Sequence, residues 1–249
     1  MSKTQRLYYT DCYLREFEAA VLKVDPEPRG CRVYLDRSAF YPESGGQPMD
    51  LGTIADIAVL EVVEEGEAVV HLLERRPERE RVVGRIDWAR RFDYMQQHTG
   101  QHVLSAAFEK TGSYKTIGFH LGAEVSTIDL DSDRLGRRQV EEAEDLANQV
   151  VFEDREVRIF FRPSSEASQL DLRKPTAREG DLRLVEVTDF DLSACGGTHV
   201  NRTGAIGMIL VRKSERMKGA TRVEFVCGSR ALQTARQDFL VLSEAARLF

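Results

Sequence analysis

The stretch DWARRFDYMQQHTGQHVLSAAFEKTG, residues 87–112, is where the pattern of the chain changes. From Trp88 to about Lys110 the apolar residues recur at helical spacing, which predicts an amphipathic helix. Asp87 stands where an N-cap is expected, and Thr111-Gly112 is typical of a helix end. The stretch therefore separates a strand-rich part of the chain from a part that mixes strands with helices.

Five short segments rich in β-branched residues precede this helix, and turns rich in Pro, Gly and acidic residues separate them. Strands at this spacing favour a small antiparallel barrel or sandwich. The predicted strands are residues 17–24, 31–35, 53–63, 68–73 and 81–86. We therefore predict a first, all-β module over residues 1–88.

After the helix, strands and helices mix without the strict alternation of a parallel sheet, which indicates an α+β fold over residues 89–249. The predicted strands are residues 123–130, 156–161, 182–187, 205–211 and 221–226, and the predicted helices are residues 137–152 and 229–249. The apolar residues expected to join the core from the last helix are Leu232, Phe239, Leu242, Ala246 and Phe249.

The composition of the 249 residues, 42% hydrophobic and 31% charged, is that of ordinary globular proteins and excludes collagen-like, low-complexity and wholly disordered chains. No apolar run approaches the roughly 18–20 residues of a membrane helix, and the first residues lack the apolar region of a secretory signal. Four cysteines are too few for a disulfide scaffold. We therefore expect a cytoplasmic, reduced protein with no membrane segment.

The net charge of −6 conceals a basic region near the end of the chain. Residues 204–249 carry eight Lys or Arg against four Asp or Glu, and several of them lie around a predicted hairpin. Locally basic surfaces can contact nucleic-acid phosphates even on an acidic protein. The candidates are Arg212, Lys213, Lys218 and Arg222. The alternative is a solvated face.

Two of the five histidines, His98 and His102, lie four residues apart on the predicted helix. Residues at this spacing share one face about 5–6 Å apart, so one metal ion can bridge the two imidazoles. No Glu follows His98, which excludes the HExxH arrangement of metalloproteases. The alternative is a pair of solvated or core histidines.

The motif CGGTH, residues 195–199, offers a second pair of donors around two glycines that allow a sharp turn. Together the two pairs form a His3Cys set with zinc-like ligand chemistry. The predicted Zn2+ ligands are His98, His102, Cys195 and His199. The alternative for this motif is a glycine-rich turn with an incidental buried cysteine, but two pairs in a histidine-poor chain favour zinc.

A third motif, FYPESGGQP at residues 40–48, places Gly45 and Gly46 between prolines in the first module. Such a turn is rigid and exposed, and its backbone N–H groups can meet a phosphate or a sugar. A plain loop between strands is an equal alternative.

The three motifs FYPESGGQPMDLGTI, HTGQH and CGGTH, in this order, resemble those of the alanyl-tRNA editing family of stand-alone AlaX-type proteins, and the resemblance covers nearly the whole chain. This family is related to the editing domain of alanyl-tRNA synthetase and more distantly to that of threonyl-tRNA synthetase. The resemblance implies a translation-factor-like barrel joined to an α+β editing domain with a zinc-bearing cleft. It also implies hydrolysis of the ester that links a wrong amino acid, chiefly serine or glycine, to alanine tRNA. By match, the four predicted ligands take the metal positions.

Two features depart from the synthetase pattern. Residues 115–120, KTIGFH, stand where synthetase editing domains carry a Gln-Lys-Gly-Ser-like stretch, so no catalytic glutamine is assigned there. The sequence also stops at the end of the last predicted helix, so we expect neither the long C-terminal extension of the largest forms nor an aminoacylation domain. We therefore expect a free-standing enzyme that acts in trans on mischarged tRNA.

Polar residues beside the predicted ligands are the candidates for catalysis. Thr99, Gln101 and Thr198 can contact the seryl hydroxyl or the terminal ribose, although capping and packing explain them equally well. Two other functions stay open, namely a non-catalytic nucleic-acid-binding module with structural zinc and a metallohydrolase of small esters or amides. The sequence leaves the oligomeric state and the preference between serine and glycine undetermined.

Overall fold

The computed structural model describes residues 3–167, 169–175 and 180–247, and it confirms the predicted mixture of helices and sheets. The strands of the first part are β1 (Gln5–Arg6), β2 (Glu16–Glu27), β3 (Gly30–Leu35), β4 (Arg37–Ser38), β5 (Gly52–Ile54), β6 (Ile57–Glu65), β7 (Ala68–Leu73) and β8 (Arg81–Ile86). Six of them, in the order β2-β3-β7-β6-β5-β8, close a barrel with antiparallel neighbours. The barrel encloses a core of its own that includes Val33, Leu35, Val62, Val69 and Leu73.

The single strand predicted at residues 53–63 is wrong, because β5 and β6 form a hairpin across it. The turn residues Ala55 and Asp56 both have positive φ angles, 52° and 59°. This backbone suits two-residue hairpin turns, where Asn-Gly or Asp-Gly is the usual signal. Ala-Asp gives no such signal, so the hairpin could not be recognised from the residues.

Helix α1 (Trp88–Gly112) follows the barrel directly, and its N-cap is Asp87, whose side chain accepts a hydrogen bond from Arg90 N at 3.2 Å. The cap and the helix confirm the prediction from the sequence. The helix ends at Ser113, which adopts a left-handed conformation with a φ of 59°. Nearly all side chains of its middle part are buried, so α1 forms the centre of the second part of the molecule.

The second part surrounds α1 with two sheets and two long helices. Its elements are β9 (Thr116–Leu121), β10 (Ser126–Leu130), α2 (Arg137–Phe152), β11 (Val157–Pro163), α3 (Ser164–Ala167), β12 (Asp181–Val187), β13 (Asp191–Ala194), β14 (Ile209–Met217), β15 (Ala220–Cys227) and α4 (Gly228–Ala245). One sheet has the order β14-β15-β10-β9 and the other has the order β11-β12-β13. Both pack on a core to which α1 and α2 contribute Met95, Leu104, Phe108 and Val150.

Two predictions for the end of the chain are wrong. The strand expected at 205–211 is instead a 3-10 helix, Thr203–Ile206, followed by β14, because Gly207 turns the chain with a φ of 82°. The apolar face of α4 does not join the core: Leu232 is 50% exposed, and Phe239 and Leu242 are each 69% exposed. Ala246 is exposed as well, and Phe249 lies outside the described residues.

A buried ion pair joins the barrel to α1. Arg91 is fully buried, and its guanidinium donates to both carboxylate oxygens of Asp50 and to the backbone oxygens of Cys12 and Ala39. Asp50 in turn accepts from Tyr41 N at 2.6 Å, which fixes the segment between β4 and β5 against α1. The division into domains 1–88 and 89–249 stays a prediction. None of the described helices has the length and apolar character needed to cross a bilayer.

Candidate metal centre

The four predicted metal ligands converge at one point. His98 and His102 lie one turn apart on α1 with ring centroids 5.3 Å apart, and Cys195 and His199 lie on the turn that follows β13. One possible donor atom from each residue lies within 4.8 Å of the others. The fold therefore brings together two sequence motifs that are about a hundred residues apart in a cluster that can hold a metal ion.

The distances in the cluster fit a single tetrahedral ion. Cys195 Sγ lies 3.5 Å from His98 Nε2 and 3.3 Å from His199 Nε2. Zn–S and Zn–N bonds of about 2.3 and 2.0–2.1 Å at a tetrahedral angle separate sulfur and nitrogen by about 3.6 Å. Three imidazoles and a thiolate are also a donor set that zinc prefers.

Each histidine of the cluster is held through its Nδ1 atom. His98 Nδ1 lies 2.8 Å from Gln47 Oε1, and His102 Nδ1 lies 3.1 Å from Asp191 Oδ2. His199 Nδ1 lies 3.2 Å from Thr99 Oγ1. Metal-binding histidines usually donate the second ring N–H to such a partner, which leaves Nε2 as the ligand atom.

The ring of polar contacts continues behind these partners. Asp191 accepts from Arg173 Nε at 2.6 Å and from Ser193 Oγ at 3.1 Å, so its carboxylate is oriented on both sides. Gly197 leaves room for the cluster, because a Cβ atom there would lie 2.1 Å from His98 Cε1. Close packing against His98 thus requires a glycine at position 197, the second glycine of the CGGTH motif.

The cluster is strongly polarised by its own charges. Burial opposes ionisation of Cys195, but the neighbouring His98 and His199 rings hold the pKa of its thiol well below the ordinary value. Burial also favours neutral His102, yet its hydrogen bond to Asp191 and the nearby Cys195 sulfur raise the pKa of His102 to about 9. Burial lowers the pKa of His199 to about 3. Cys195 and Asp191 are therefore the groups of the site that favour a negative charge, and such a charge attracts a cation.

A cavity of about 610 Å³ opens beside the cluster, and both parts of the chain line it. Its wall includes His98, His102 and Cys195, with Tyr41 and Gly45 from the segment that precedes β5. This volume lies within the range of about 300–1,000 Å³ that is usual for small-molecule sites.

Gln101 is the predicted catalytic residue that reaches this cavity. Its Nε2 atom donates to Ser105 Oγ at 2.8 Å, and Thr116 Oγ1 donates to the same oxygen at 2.8 Å. The Gln101 Oε1 atom is buried and has no hydrogen-bond partner among the described residues. An unpartnered buried acceptor is costly, and it is satisfied when a ligand supplies a donor.

The other two predicted catalytic residues lie behind the ligands. Thr99 and Thr198 are both fully buried, and the described part of the cavity wall includes neither. Thr99 Oγ1 contacts His199 and accepts from Val200 N at 3.1 Å, while Thr198 Oγ1 accepts from Gln47 Nε2 at 2.8 Å. Both hydroxyls therefore contact a candidate ligand or the residue that orients one, and not the cavity.

The residues predicted to contact nucleic acid fall into two groups. Gly45 lies on the cavity wall, and Gly46 packs against Phe119 with a φ of 82°. The other four lie on the hairpin of β14 and β15, which confirms that hairpin, and none of them contributes to the cavity wall as described. Three of the four are already paired: Arg212 with Asp238, Lys213 with Glu215 and Arg222 with Asp129. Lys218 is exposed at the hairpin tip.

Sequence reasoning missed the residues that orient the ligands, above all Gln47, Asp191 and Arg173. Gln47 follows the two glycines of the third motif, and Asp191 stands four residues before the CGGTH motif. Their closeness to the two motifs could have marked these residues as candidates. A short motif, however, does not indicate which distant histidine a polar side chain will contact.

Comparison with known proteins places these features in a family. The sequence profile described as threonyl and alanyl tRNA synthetase second additional domain matches residues 182–224. An alanyl-tRNA editing protein AlaX-M of Methanosarcina mazei is 37% identical over an alignment of 232 positions, which covers 84% of this chain and 90% of that protein. An alanyl-tRNA editing protein AlaX-L of Pyrococcus horikoshii is 36% identical over 92% of this chain and 59% of its own length.

Similarity also extends to much longer proteins. An alanine–tRNA ligase of Pyrococcus abyssi is 35% identical over an alignment of 268 positions, gaps included, which covers 100% of this chain. The chain spans 28% of the length of that ligase.

Proposed function

The chain belongs to the family of alanyl-tRNA editing proteins, and from that premise we propose that it is a zinc-dependent hydrolase of mischarged alanine tRNA. It acts in trans, in the cytoplasm, on seryl-tRNA and on glycyl-tRNA as a second substrate. The observation that carries the proposal is the four-residue cluster, three members of which lie on the wall of a cavity that both parts of the chain line.

In this proposal His98, His102, Cys195 and His199 hold one Zn2+ per chain. Their mutual distances and donor types support zinc. When bound there, zinc would supply a Lewis acid that can polarise a carbonyl and, where a coordination position is open, lower the pKa of a water to about 7.

The chain's own residues position the substrate. An aminoacyl ester is already reactive, so orientation within the cavity supplies much of the rate enhancement. In this proposal Gln101 Oε1, an unpartnered acceptor on a residue that lines the cavity, accepts a hydrogen bond from the seryl hydroxyl. Ser105 Oγ holds the other end of the Gln101 amide by accepting from its Nε2. Alanine lacks that hydroxyl and would leave the buried acceptor unpaired, so the site disfavours the correctly charged tRNA.

Thr99 and Thr198 contribute to the same reaction indirectly. Thr99 holds the His199 ring, and Thr198 holds the turn that carries Cys195 and His199 against Gln47. Both residues therefore keep the ligands in place while Gln101 contacts the acyl group.

The tRNA backbone is met by two surfaces in this proposal. Gly45 presents its backbone on the cavity wall, and Gly46 follows it against Phe119, so in this proposal the turn meets the acylated end of the tRNA. Phosphates farther along the tRNA contact Arg212, Lys213, Lys218 and Arg222 on the β14–β15 hairpin. The exposed Lys218 gives the strongest contact, because the other three already pair with carboxylates.

A second candidate function is a non-catalytic tRNA-binding module with structural zinc. The observation that favours it is the set of four protein ligands, since structural zinc sites are usually closed by four ligands whereas catalytic sites keep one position open. Such a module would bind mischarged tRNA without cleaving it.

Deacylation time courses on seryl-, glycyl- and alanyl-tRNA test the proposal. We expect seryl-tRNA to be hydrolysed fastest, glycyl-tRNA to be hydrolysed as well, and alanyl-tRNA to be spared. Binding without release of the amino acid would support the module instead, and equal rates on seryl- and alanyl-tRNA would reject an editing role.

The Gln101→Leu variant tests the proposed hydroxyl contact. Loss of one neutral hydrogen bond should narrow the preference for seryl-tRNA over alanyl-tRNA by about tenfold. Glu109→Gln, on the same helix but away from the cavity wall, is the matched control and should keep the wild-type preference. An unchanged preference in Gln101→Leu would assign the hydroxyl contact to another residue.

A further inference from the structure

Of the three residues that hold the histidine ligands, Gln47 alone comes from the barrel part of the chain. Thr99 and Asp191 belong to the same part as the histidines they contact. We propose that Gln47 is a positioning residue that fixes the tautomer of His98, so that the barrel completes the metal site and sets its affinity. The inference rests on the proposed zinc site but does not depend on the substrate.

The contacts of Gln47 determine which way its amide faces. Oε1 accepts from Thr198 N at 3.1 Å, and Nε2 donates to Thr198 Oγ1 at 2.8 Å. A backbone N–H can only donate, so the reverse amide orientation would set two donors against each other. The carbonyl oxygen of Gln47 is thus the atom that meets His98.

This orientation dictates the protonation of the His98 ring. An amide oxygen only accepts, so His98 Nδ1, 2.8 Å away, must carry a hydrogen. The lone pair of the neutral ring then belongs to Nε2, the atom that faces Cys195 Sγ at 3.5 Å. Gln47 is 1% exposed, so water does not compete for either of its polar atoms.

Backbone hydrogen bonds on both sides of Gln47 fix its position next to His98. Ser44 and Gln47 exchange two backbone hydrogen bonds of 3.2 and 3.0 Å, which close the tight turn through the two glycines. Gly46 O then accepts from Leu121 N at 3.0 Å, and this bond ties the turn to the end of β9. The Arg91–Asp50 pair fixes the far end of the same segment on α1.

Loss of Gln47 would free His98 to adopt either tautomer and would release the turn that carries two other ligands. Removal of the group that orients a metal-bound histidine typically weakens metal binding about 10- to 100-fold. Zinc affinity should depend on a hydrogen-bond acceptor at position 47 and not on the glutamine side chain as such. A carboxylate can replace the amide oxygen, whereas an alkyl group cannot.

Zinc affinity, measured by competition with a chromophoric chelator, tests this inference in the full chain. We expect Gln47→Leu to weaken zinc binding about 10- to 100-fold and Gln47→Glu to keep it within a few-fold of wild type. Glu43→Gln, exposed on the same segment, is the control and should bind zinc as wild type does. Wild-type affinity in Gln47→Leu, or an equal loss in Gln47→Glu, would overturn the inference.

Nitrogen-15 NMR of the zinc-loaded protein gives a readout that loss of packing alone would not produce. We expect a protected Nδ1 proton on His98 in wild type and in Gln47→Glu, and its loss in Gln47→Leu. An unprotonated Nδ1 on His98 in the wild-type protein would also overturn the inference. Neither measurement uses tRNA, so an inactive protein with these signatures would count against the proposed function and leave this inference standing.

Discussion

Replacement of any one of the four donor side chains in the cluster should cause the protein to lose zinc. The four donors lie within 4.8 Å of one another, and three of them are almost fully buried. We expect about one zinc per chain in the purified protein and a large loss of zinc in His98→Ala and in Cys195→Ala. Elemental analysis measures this, with exposed His120→Ala as the control. Full retention of zinc in both ligand variants would contradict the assignment.

His71 is a buried histidine outside the metal cluster, and its environment predicts a pH-dependent stability. It lies in the barrel, where Ser38 Oγ contacts its Nε2 at 2.8 Å, and burial lowers the pKa of His71 from 6.5 to about 4. The unfolded chain therefore binds a proton at a higher pH than the folded one. The free energy of unfolding should fall as the pH drops from about 6.5 to about 4, by up to about 3 kcal/mol.

Urea unfolding at several pH values measures this effect. The His71→Leu variant should lose part of the pH dependence, whatever its absolute stability, because the other titrating groups are common to both proteins. Exposed His120→Gln serves as the control and should follow wild type. Parallel stability curves for His71→Leu and wild type would show that His71 does not titrate as expected.

Single residues also show how far the sequence predicts this site. The ligands could be predicted because spacing on a helix and around two glycines brings donors together locally. The orienting partners could not be predicted, because Gln47 lies 51 residues from His98 and Asp191 lies 89 residues from His102. Their contacts are created by the packing of the barrel and β13 against α1, which no local pattern encodes.

The hairpin of β14 and β15 is the element on which the tRNA-contact proposal can be tested. Lys218→Glu at its exposed tip should weaken tRNA binding. It should also make the negative slope of log affinity against log salt shallower by about 1, since each phosphate contact that is lost no longer releases counterions. Binding isotherms at several salt concentrations measure both effects. Arg137→Glu on α2 reverses an exposed charge elsewhere and should leave the slope unchanged. A wild-type slope in Lys218→Glu would show that the hairpin tip faces solvent and does not contact tRNA phosphates.

The elements differ in how well their patterns predict them. α1 and α2 are correctly predicted because a helical period persists over many residues in each. The β5–β6 hairpin and the start of β14 are mispredicted because single turn residues decide them. For α4 the helix is correct but the apolar face remains exposed, since periodicity reveals amphipathic character and not the surface that covers it.

On the scale of the whole molecule, the barrel and the second part are joined by the buried Arg91–Asp50 pair. Replacing one partner leaves the other as an uncompensated buried charge, so Arg91→Met should lower the free energy of unfolding by about 3–5 kcal/mol. The double variant Arg91→Met with Asp50→Leu should recover part of this loss. Chemical denaturation measures both, and a double variant no more stable than the single one would contradict this account.

The four free cysteines give the molecule an unequal sensitivity to oxidants. Burial raises the pKa of the Cys12, Cys31 and Cys227 thiols, so these remain protonated and chemically inert. Cys195 is partly exposed at the cavity wall, and its neighbours lower the pKa of its thiol, so in protein without a metal ion we expect it to be the first cysteine that peroxide oxidises. Sulfinic or sulfonic acid at this position would abolish the donor set permanently. A metal ion bound to Cys195 would thus also protect its sulfur from oxidation, and protein treated with a chelator should be kept under a reductant and without air.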